Sequence, residues 1–268
     1  MKINNLKTFP KIIIDEMLSF VITENCSFQC AHCMRGDRSP RTITKEVIDA
    51  VLASVQIDGE LHITGGEALL QSSLVAYLLN EVYRLGNRPE SVEIITNGSV
   101  GKEKFEEAIE PIKRLETKLQ FLISDDIYHK AERERLGITN EILTERLKDY
   151  QKVFHKYGLN DKAKGDYKWM LGKKNGHDLM YVVSAIGKGV NIAGSMPKWR
   201  EFSLTEGKLG ALIIGNTLYG QIQVQTDGRI TRMEDMSWEE IDTHYGEDHN
   251  ILKYSFDEII TNSKRKNK

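Results

Sequence analysis

Cys26-Ser27-Phe28-Gln29-Cys30-Ala31-His32-Cys33 puts three cysteines into eight residues with the spacing C-x3-C-x2-C, and the chain has no others. The residues before this loop, EMLSFVITE (16–24), are apolar, β-branched and few, which predicts a buried strand. An odd number of cysteines in one tight group is not a disulfide framework. In a chain without an export signal it points to metal binding or catalysis. Three thiolates on one loop can each hold one iron of a cubane cluster, which usually has four protein ligands. Without a fourth cysteine, one iron is left open to a substrate or cofactor. The same residues also allow a structural zinc site, Cys3His, completed by His32 or a distant histidine. Against zinc, His32 stands between two ligands, and the second separated pair that zinc sites usually have is missing.

Outward from this loop, strand and helix patterns alternate. Thr44 is placed to cap a helix carrying Val47, Ile48, Val51, Leu52 and Val55. LHIT (61–64) reads as a strand ending at Gly65-Gly66, and Leu74, Tyr77, Leu78, Val82 and Leu85 repeat a helical period stopped by Gly86. VEIIT (92–96) ends at Asn97-Gly98, and Phe105, Ala108, Ile109, Ile112 and Leu115 mark a third helix. LQFLIS (119–124) is a fourth strand, residues 140–157 a fourth helix, and LMYVVSAI (179–186) a fifth strand. Such alternation predicts a parallel sheet, in a barrel or partial barrel. The Lys-rich stretch 158–178 interrupts the rhythm and reads as a lid or mobile loop. Beyond residue 200, ALIIG and GQIQVQTDG suggest a β-hairpin region, 251–260 a short helix, and SKRKNK a frayed tail.

The 268 residues carry 37 basic and 39 acidic side chains, a net charge of −2, with 40% hydrophobic and 28% charged residues. That is ordinary globular composition, enough for one sizeable core and a small appendage. The near-zero charge argues against a nucleic-acid binder. No run approaches the ~20 apolar residues of a membrane helix, and the N-terminus lacks a signal-peptide pattern. A cytoplasmic protein is expected.

The cysteine loop resembles the signature of the radical S-adenosylmethionine (radical SAM) superfamily, over residues 16 to about 195. The resemblance implies an α/β fold, a partial (β/α)6 TIM-like barrel with a small C-terminal β-containing cap. It implies one [4Fe-4S] cluster on Cys26, Cys30 and Cys33, with His32 beside the adenine of S-adenosylmethionine. Gly65-Gly66-Glu67 matches the Gly-Gly-Glu element that holds the methionyl amino group, with Ala68 where Pro is usual. Thr96-Asn97-Gly98 resembles a T-N-G turn that is also read as an ordinary strand-ending turn. Ser124 and Asp126 match an S-x-D that contacts ribose and the methionyl carboxylate. A following arginine assists, here Arg135, with Arg133 nearby. Gly187-Lys188-Gly189 is the weakest counterpart, of a G-R-A near the adenine. In parallel barrels the active site lies at the C-terminal strand ends, where all five elements fall.

The segment from Gln225 to Met233, with Asn250-Ile251-Leu252 and Tyr254 to Ile260, resembles the SPASM or twitch region of peptide-modifying relatives, without its auxiliary-cluster cysteines. The expected division is therefore a barrel at 1–200 and a reduced cap at 201–268. The resemblance implies reductive cleavage of S-adenosylmethionine to a 5′-deoxyadenosyl radical that abstracts hydrogen, from a peptide or from a small metabolite (nucleotide, sugar or amino acid). An electron donor of flavodoxin or ferredoxin type is implied as partner. No residue identifies the group that quenches a substrate radical. An iron–sulfur sensor without turnover and a zinc-stabilised binding module are the readings of another class.

Overall fold

The computed structural model describes residues 11–157, 165–170, 212–232 and 236–265. The polypeptide opens with β1 (Ile12–Ile14) and β2 (Met17–Val21), then α1 (Lys45–Ser54), β3 (Val55–Ile57) and β4 (Glu60–Thr64). There follow α2 (Ser72–Arg84), β5 (Ser91–Thr96), α3 (Lys102–Ile109), α4 (Ile112–Leu115), β6 (Lys118–Ser124), α5 (Ile127–Arg135), α6 (Asn140–Lys156) and β7 (Gly165–Met170). The C-terminal part holds β8 (Leu212–Ile214), β9 (Thr217–Tyr219), β10 (Gln221–Val224), β11 (Ile230–Arg232), α7 (Trp238–His244) and α8 (Phe256–Arg265).

The main sheet has the order β11-β10-β2-β4-β5-β6-β7. Its strands from β10 to β7 are all parallel, and only β11 is antiparallel, as the hairpin partner of β10. This is the expected partial (β/α)-type sheet, open at both edges among the described residues. A smaller sheet, β3-β1-β9-β8, packs in the same core.

Alternation along each strand assigns the faces. Leu18 and Phe20, Leu61 and Ile63, Val92 and Ile94, and Leu119 and Phe121 share one face, all essentially buried. They meet the apolar stripes of α1, α2, α3 and α6 in one continuous core. Phe105 links the layers, stacked on Tyr150 at 3.7 Å and tilted against Phe121 at 4.8 Å. Each such buried side chain contributes roughly 1.5–3 kcal/mol. Thr44 caps α1 as expected, accepting from the Val47 N–H at 3.3 Å, and Gly86 takes a positive φ of 78° where α2 ends.

Four elements differ from the sequence reading, the first being the third helix, which Pro111 breaks into α3 and α4. Val55 leaves helix α1 and opens β3, because Ile57 pairs with Ile14 in the small sheet, a long-range partner invisible to local period. Residues 165–170 form β7, paired in parallel with β6, where a lid or loop was expected. The final helix starts at Phe256, later than 251, after Ser255 receives a cap from Glu258. The expected strand at 179–186, Gly187-Lys188-Gly189 and the 200/201 division lie outside the described residues. Of the described strands that follow that division, β8 and β9 belong to the smaller sheet and β10 and β11 to the main one.

Candidate functional site

The chain leaving β2 is pinned at both ends of the cysteine loop. Thr23 bridges Thr42, its hydroxyl donates to the Arg41 carbonyl at 3.0 Å, and Ile43 N–H returns to the Ile22 carbonyl at 2.9 Å. Cys26, Cys30 and Cys33 are all free thiols, half-buried, buried and half-buried respectively. Phe28 and Ile138 pack against Cys30, with Cys26, Cys33 and Tyr128 beside them. Burial, then the neighbouring Glu67 and Cys33 charges, push the Cys26 thiol up to about 11, despite hydrogen bonds from Phe28 and Asn97. Cys30 is raised further by burial and by Cys33 and Cys26. Neighbouring thiols raise Cys26 and Cys30, so the three ionise together only against positive charge of the kind a metal cluster supplies, and Cys30 also shares with His32 and His129 a set of ligand atoms within 4.8 Å of one another.

The two glycines after β4 serve a close approach of backbones. Gly66 N–H donates to the Thr23 carbonyl at 2.6 Å and Glu67 N–H to the Asn25 carbonyl at 2.9 Å. A Cβ on Gly66 would fall 2.4 Å from the Asn25 oxygen. Glu67 turns away from the cavity. Its Oε2 accepts from Asn97 N–H at 2.7 Å and its Oε1 from Leu69 N–H at 3.1 Å and Thr96 Oγ1 at 3.0 Å. Burial pushes Glu67 up to about 7 against those donors. The Glu67 carboxylate braces the ends of β4 and β5, and Gly65 and Gly66 are the members of the motif that line the cavity.

Asp126 caps α5, accepting from Tyr128 and His129 N–H at 2.9 Å each, and its Oδ2 meets His129 Nδ1 at 2.5 Å and His32 Nε2 at 3.2 Å. Burial works against its charge, but the hydrogen bonds from His129 and His32 hold its carboxyl well below the usual range. His32 stacks on Tyr128 at 4.5 Å, and its buried Nδ1 has no hydrogen-bond partner. On α5, Arg133 and Arg135 point roughly 200° apart. Arg133 is buried and donates to the carbonyls of Ser124 at 3.0 Å and Asn97 at 3.3 Å, while also pairing with Asp125. Arg135 is exposed and pairs with Glu132. The arginine behind the β6 end is thus Arg133, and Arg135 faces solvent.

A cavity of about 340 Å³ opens over these strand ends. Ten of the twelve residues singled out in the sequence line it: Cys26, Cys30, Cys33, His32, Gly65, Gly66, Thr96, Asn97, Ser124 and Asp126. Glu67 and Arg135 do not. The sequence reading missed Glu24, Met34, Arg35, His129 as an Asp126 partner, and Trp238. Arg35 lies over the Trp238 ring at 5.1 Å and donates to the Met236 carbonyl at 2.8 Å, and Trp238 N–H returns to the Arg35 carbonyl at 3.0 Å. Thr226 donates to Glu24 at 2.7 Å, and Arg41 holds the other oxygen of Glu24 at 2.7 Å. The C-terminal region thus forms one wall of the cavity.

Below the cavity, the inner face of the sheet is polar. Gln223, Ser19, His62, Glu93 and Gln120 stand in one register row across five neighbouring strands. Thr64 and Ile95, two residues further along β4 and β5, line the cavity above. Gln225 donates to Gln223 Oε1 at 3.1 Å, Gln223 donates to Ser19 Oγ at 3.2 Å, and Ser19 lies 2.9 Å from His62 Nδ1. His62 Nε2 faces Glu93 at 3.5 Å. Burial, then the Arg35 charge, push His62 down to about 4, so it is neutral. Barrel interiors are ordinarily filled by Val, Ile and Leu.

The family model described as "Radical SAM superfamily" matches residues 20–160. The chain belongs to the radical SAM superfamily. Its cofactors are accordingly a [4Fe-4S] cluster and S-adenosylmethionine, and it is an enzyme. No curated protein matches it. Among solved structures, this radical SAM chain is similar to native anSMEcpe with bound AdoMet and Cp18Cys peptide, at 12% identity and TM-score 0.52, over 93% of this chain and 80% of that one. It also matches Streptococcus suis SuiB bound to precursor peptide SuiA, at 12% identity and TM-score 0.39, over 92% and 66%. SuiB bound to S-adenosylmethionine matches at 11% identity and TM-score 0.34, over 81% and 60%. The first likeness supports the fold. Among the described residues, no helix is long and apolar enough to cross a membrane.

Proposed function

We propose that this radical SAM enzyme abstracts hydrogen from a peptide, using Cys26, Cys30 and Cys33 to hold its cluster. Bound together and reduced, the cluster and S-adenosylmethionine supply a 5′-deoxyadenosyl radical. The residues around the cavity would hold and shield that chemistry. Gly65 and Gly66 offer bare backbone to the methionyl group, and Ser124 and Asp126 suit ribose hydroxyls. A purine edge would satisfy the orphaned Nδ1 of His32. An electron donor of flavodoxin or ferredoxin class would supply the reducing electron.

The observation that carries the peptide reading is the polar row Gln223–Ser19–His62–Glu93–Gln120 beneath the cavity. That row is hydrogen-bonded within the chain, so a substrate entering the cavity meets a polar floor in place of an apolar one. A peptide backbone repeats one donor and one acceptor per residue. The solved neighbour anSMEcpe holds a peptide, which agrees with this reading.

The test is anaerobic reconstitution followed by dithionite, S-adenosylmethionine and peptides deuterated along their chains. Deuterium entering 5′-deoxyadenosine from a peptide supports the proposal. Deuterium entering only from nucleotides, sugars or free amino acids overturns the peptide assignment. A protein that binds zinc and no iron overturns the cluster assignment to the three cysteines.

A further inference from the structure

The turn after β5 reaches across to the cysteine loop and makes a side-chain contact with one of its thiols. The side-chain amide of Asn97 lies 3.4 Å from Cys26 Sγ, with Nδ2 as donor. The orientation of that amide is settled by its other contacts. Asn97 Oδ1 accepts from Ser99 N–H at 2.9 Å, so Nδ2 must face the cysteine loop, where it also reaches Ser27 Oγ at 3.5 Å. The backbone of Asn97 is held from both sides: its N–H donates to Glu67 Oε2 at 2.7 Å, and its carbonyl accepts from the buried Arg133 at 3.3 Å. Ser27 and Ser99 close the junction at 2.7 Å. Asn97 itself is 5% exposed. Both N–H groups of its amide are therefore directed at the cysteine loop, and its oxygen is engaged by Ser99 N–H.

Cys26 also receives the Phe28 backbone N–H at 3.3 Å, and among the described residues Cys30 and Cys33 receive no such donor. Hydrogen bonds to cluster sulfurs help set the reduction potential, because each added electron places more negative charge on the sulfurs that accept them. Resting on the proposal that Cys26, Cys30 and Cys33 hold the cluster, we propose that Asn97 is a positioning residue whose N–H···S bond to Cys26 raises the cluster's reduction potential. One electron passes from a flavodoxin- or ferredoxin-class donor to the cluster, the donor is oxidised by one electron, and no proton moves. The Asn97 dipole stabilises the product of that transfer more than the reactant.

The experiment is a spectroelectrochemical titration of the reconstituted holoenzyme, followed by electron paramagnetic resonance, with iron content and S-adenosylmethionine Kd measured on the same samples. Asn97→Leu removes the donor in nearly the same volume. Asn97→Asp removes the donor but keeps the acceptor for Ser99 N–H. Ser99→Ala, which loosens the junction and leaves the donor in place, is the control. Both Asn97 variants are expected to keep their iron, while the reduction equilibrium moves about tenfold toward the oxidised state, or about 59 mV for one electron. Ser99→Ala is expected to titrate with the wild type. Iron-replete Asn97 variants at the wild-type potential would overturn the inference. Weakened cofactor binding at an unchanged potential would overturn it too, since Asn97 would then be a cofactor contact. Loss of iron from both Asn97 variants would make the residue an assembly element and likewise overturn it. A wild-type protein that assembles no iron–sulfur cluster would instead refute the cluster assignment of the proposed function.

Discussion

Gly66→Ala is the sharpest test of how the β4 end and the cysteine loop depend on each other. The new methyl carbon would lie 2.4 Å from the Asn25 carbonyl oxygen, against the 3.4 Å at which ordinary contact begins, so the two backbones must part by about 1 Å. That motion stretches the bonds Gly66 N–H to Thr23 (2.6 Å) and Glu67 N–H to Asn25 (2.9 Å) beyond useful range. Two weakened hydrogen bonds at about 0.5–1.5 kcal/mol each and overpacking of about 1–3 kcal/mol give a loss of roughly 2–6 kcal/mol. At about 3 °C per kcal/mol for a chain of this size, that is a fall in Tm of about 6–18 °C. The displaced residue is next to Cys26, and a 1 Å misplacement costs on the order of a hundredfold in rate. The measurements are Tm, iron per chain after anaerobic reconstitution, and the rate of 5′-deoxyadenosine formation. Gly86→Ala is the control, because nothing lies within 4 Å of its added carbon and only the positive φ of 78° resists it. It should cost about 1–2 kcal/mol and leave iron loading unchanged. A Gly66→Ala protein with wild-type Tm, iron and rate would refute the close-approach argument.

Three further outcomes are expected. Cys30→Ala should abolish iron retention, read by colorimetric iron assay, while keeping the fold by circular dichroism; full iron in that variant would remove Cys30 from the ligand set. Arg133→Ala should destabilise the fold by roughly 2–4 kcal/mol, because it takes the donor from two strand-end carbonyls and leaves half-buried Asp125 with Lys130 alone, whereas Arg135→Ala should melt with the wild type in a thermal scan. His62 has a folded pKa of about 4 against an ordinary 6.5. Its contribution is complete above pH 6.5 and is lost as pH falls toward 4, since the unfolded chain binds a proton that the fold refuses; the total loss is about 3 kcal/mol. Urea midpoints measured across that window should fall less steeply in His62→Gln, and parallel curves for the two proteins would contradict it.

The parts of the fold carried by local pattern were legible in the sequence. The strands at Met17–Val21, Glu60–Thr64, Ser91–Thr96 and Lys118–Ser124 follow from apolar runs that end at turn residues, and α1, α2, α3 and α6 from helical spacing. The strands β1 and β3 are three residues each and owe their existence to one another, so no local period announces them. At the site, the cysteines and the Gly-Gly pair were readable because spacing and backbone approach are properties of a few adjacent residues. The inward turn of Glu67 and the choice of Arg133 over Arg135 depend on which side of a strand end or helix faces the sheet. Trp238 and Arg35 come together across about 200 residues, and no local signal in either segment points to the other.

The contribution of β10 to the sheet has a consequence for how the protein is made. This strand lies beside β2, and the residues just beyond it, Thr226, Met236 and Trp238, clasp Glu24 and Arg35 on either side of the cysteines. During synthesis the cysteine loop therefore emerges about 200 residues ahead of these neighbours. Contacts of such long sequence separation form late. Iron delivered to the nascent chain would meet an uncovered loop, so the timing of cluster insertion relative to the ribosome's progress becomes a variable in the yield of active enzyme.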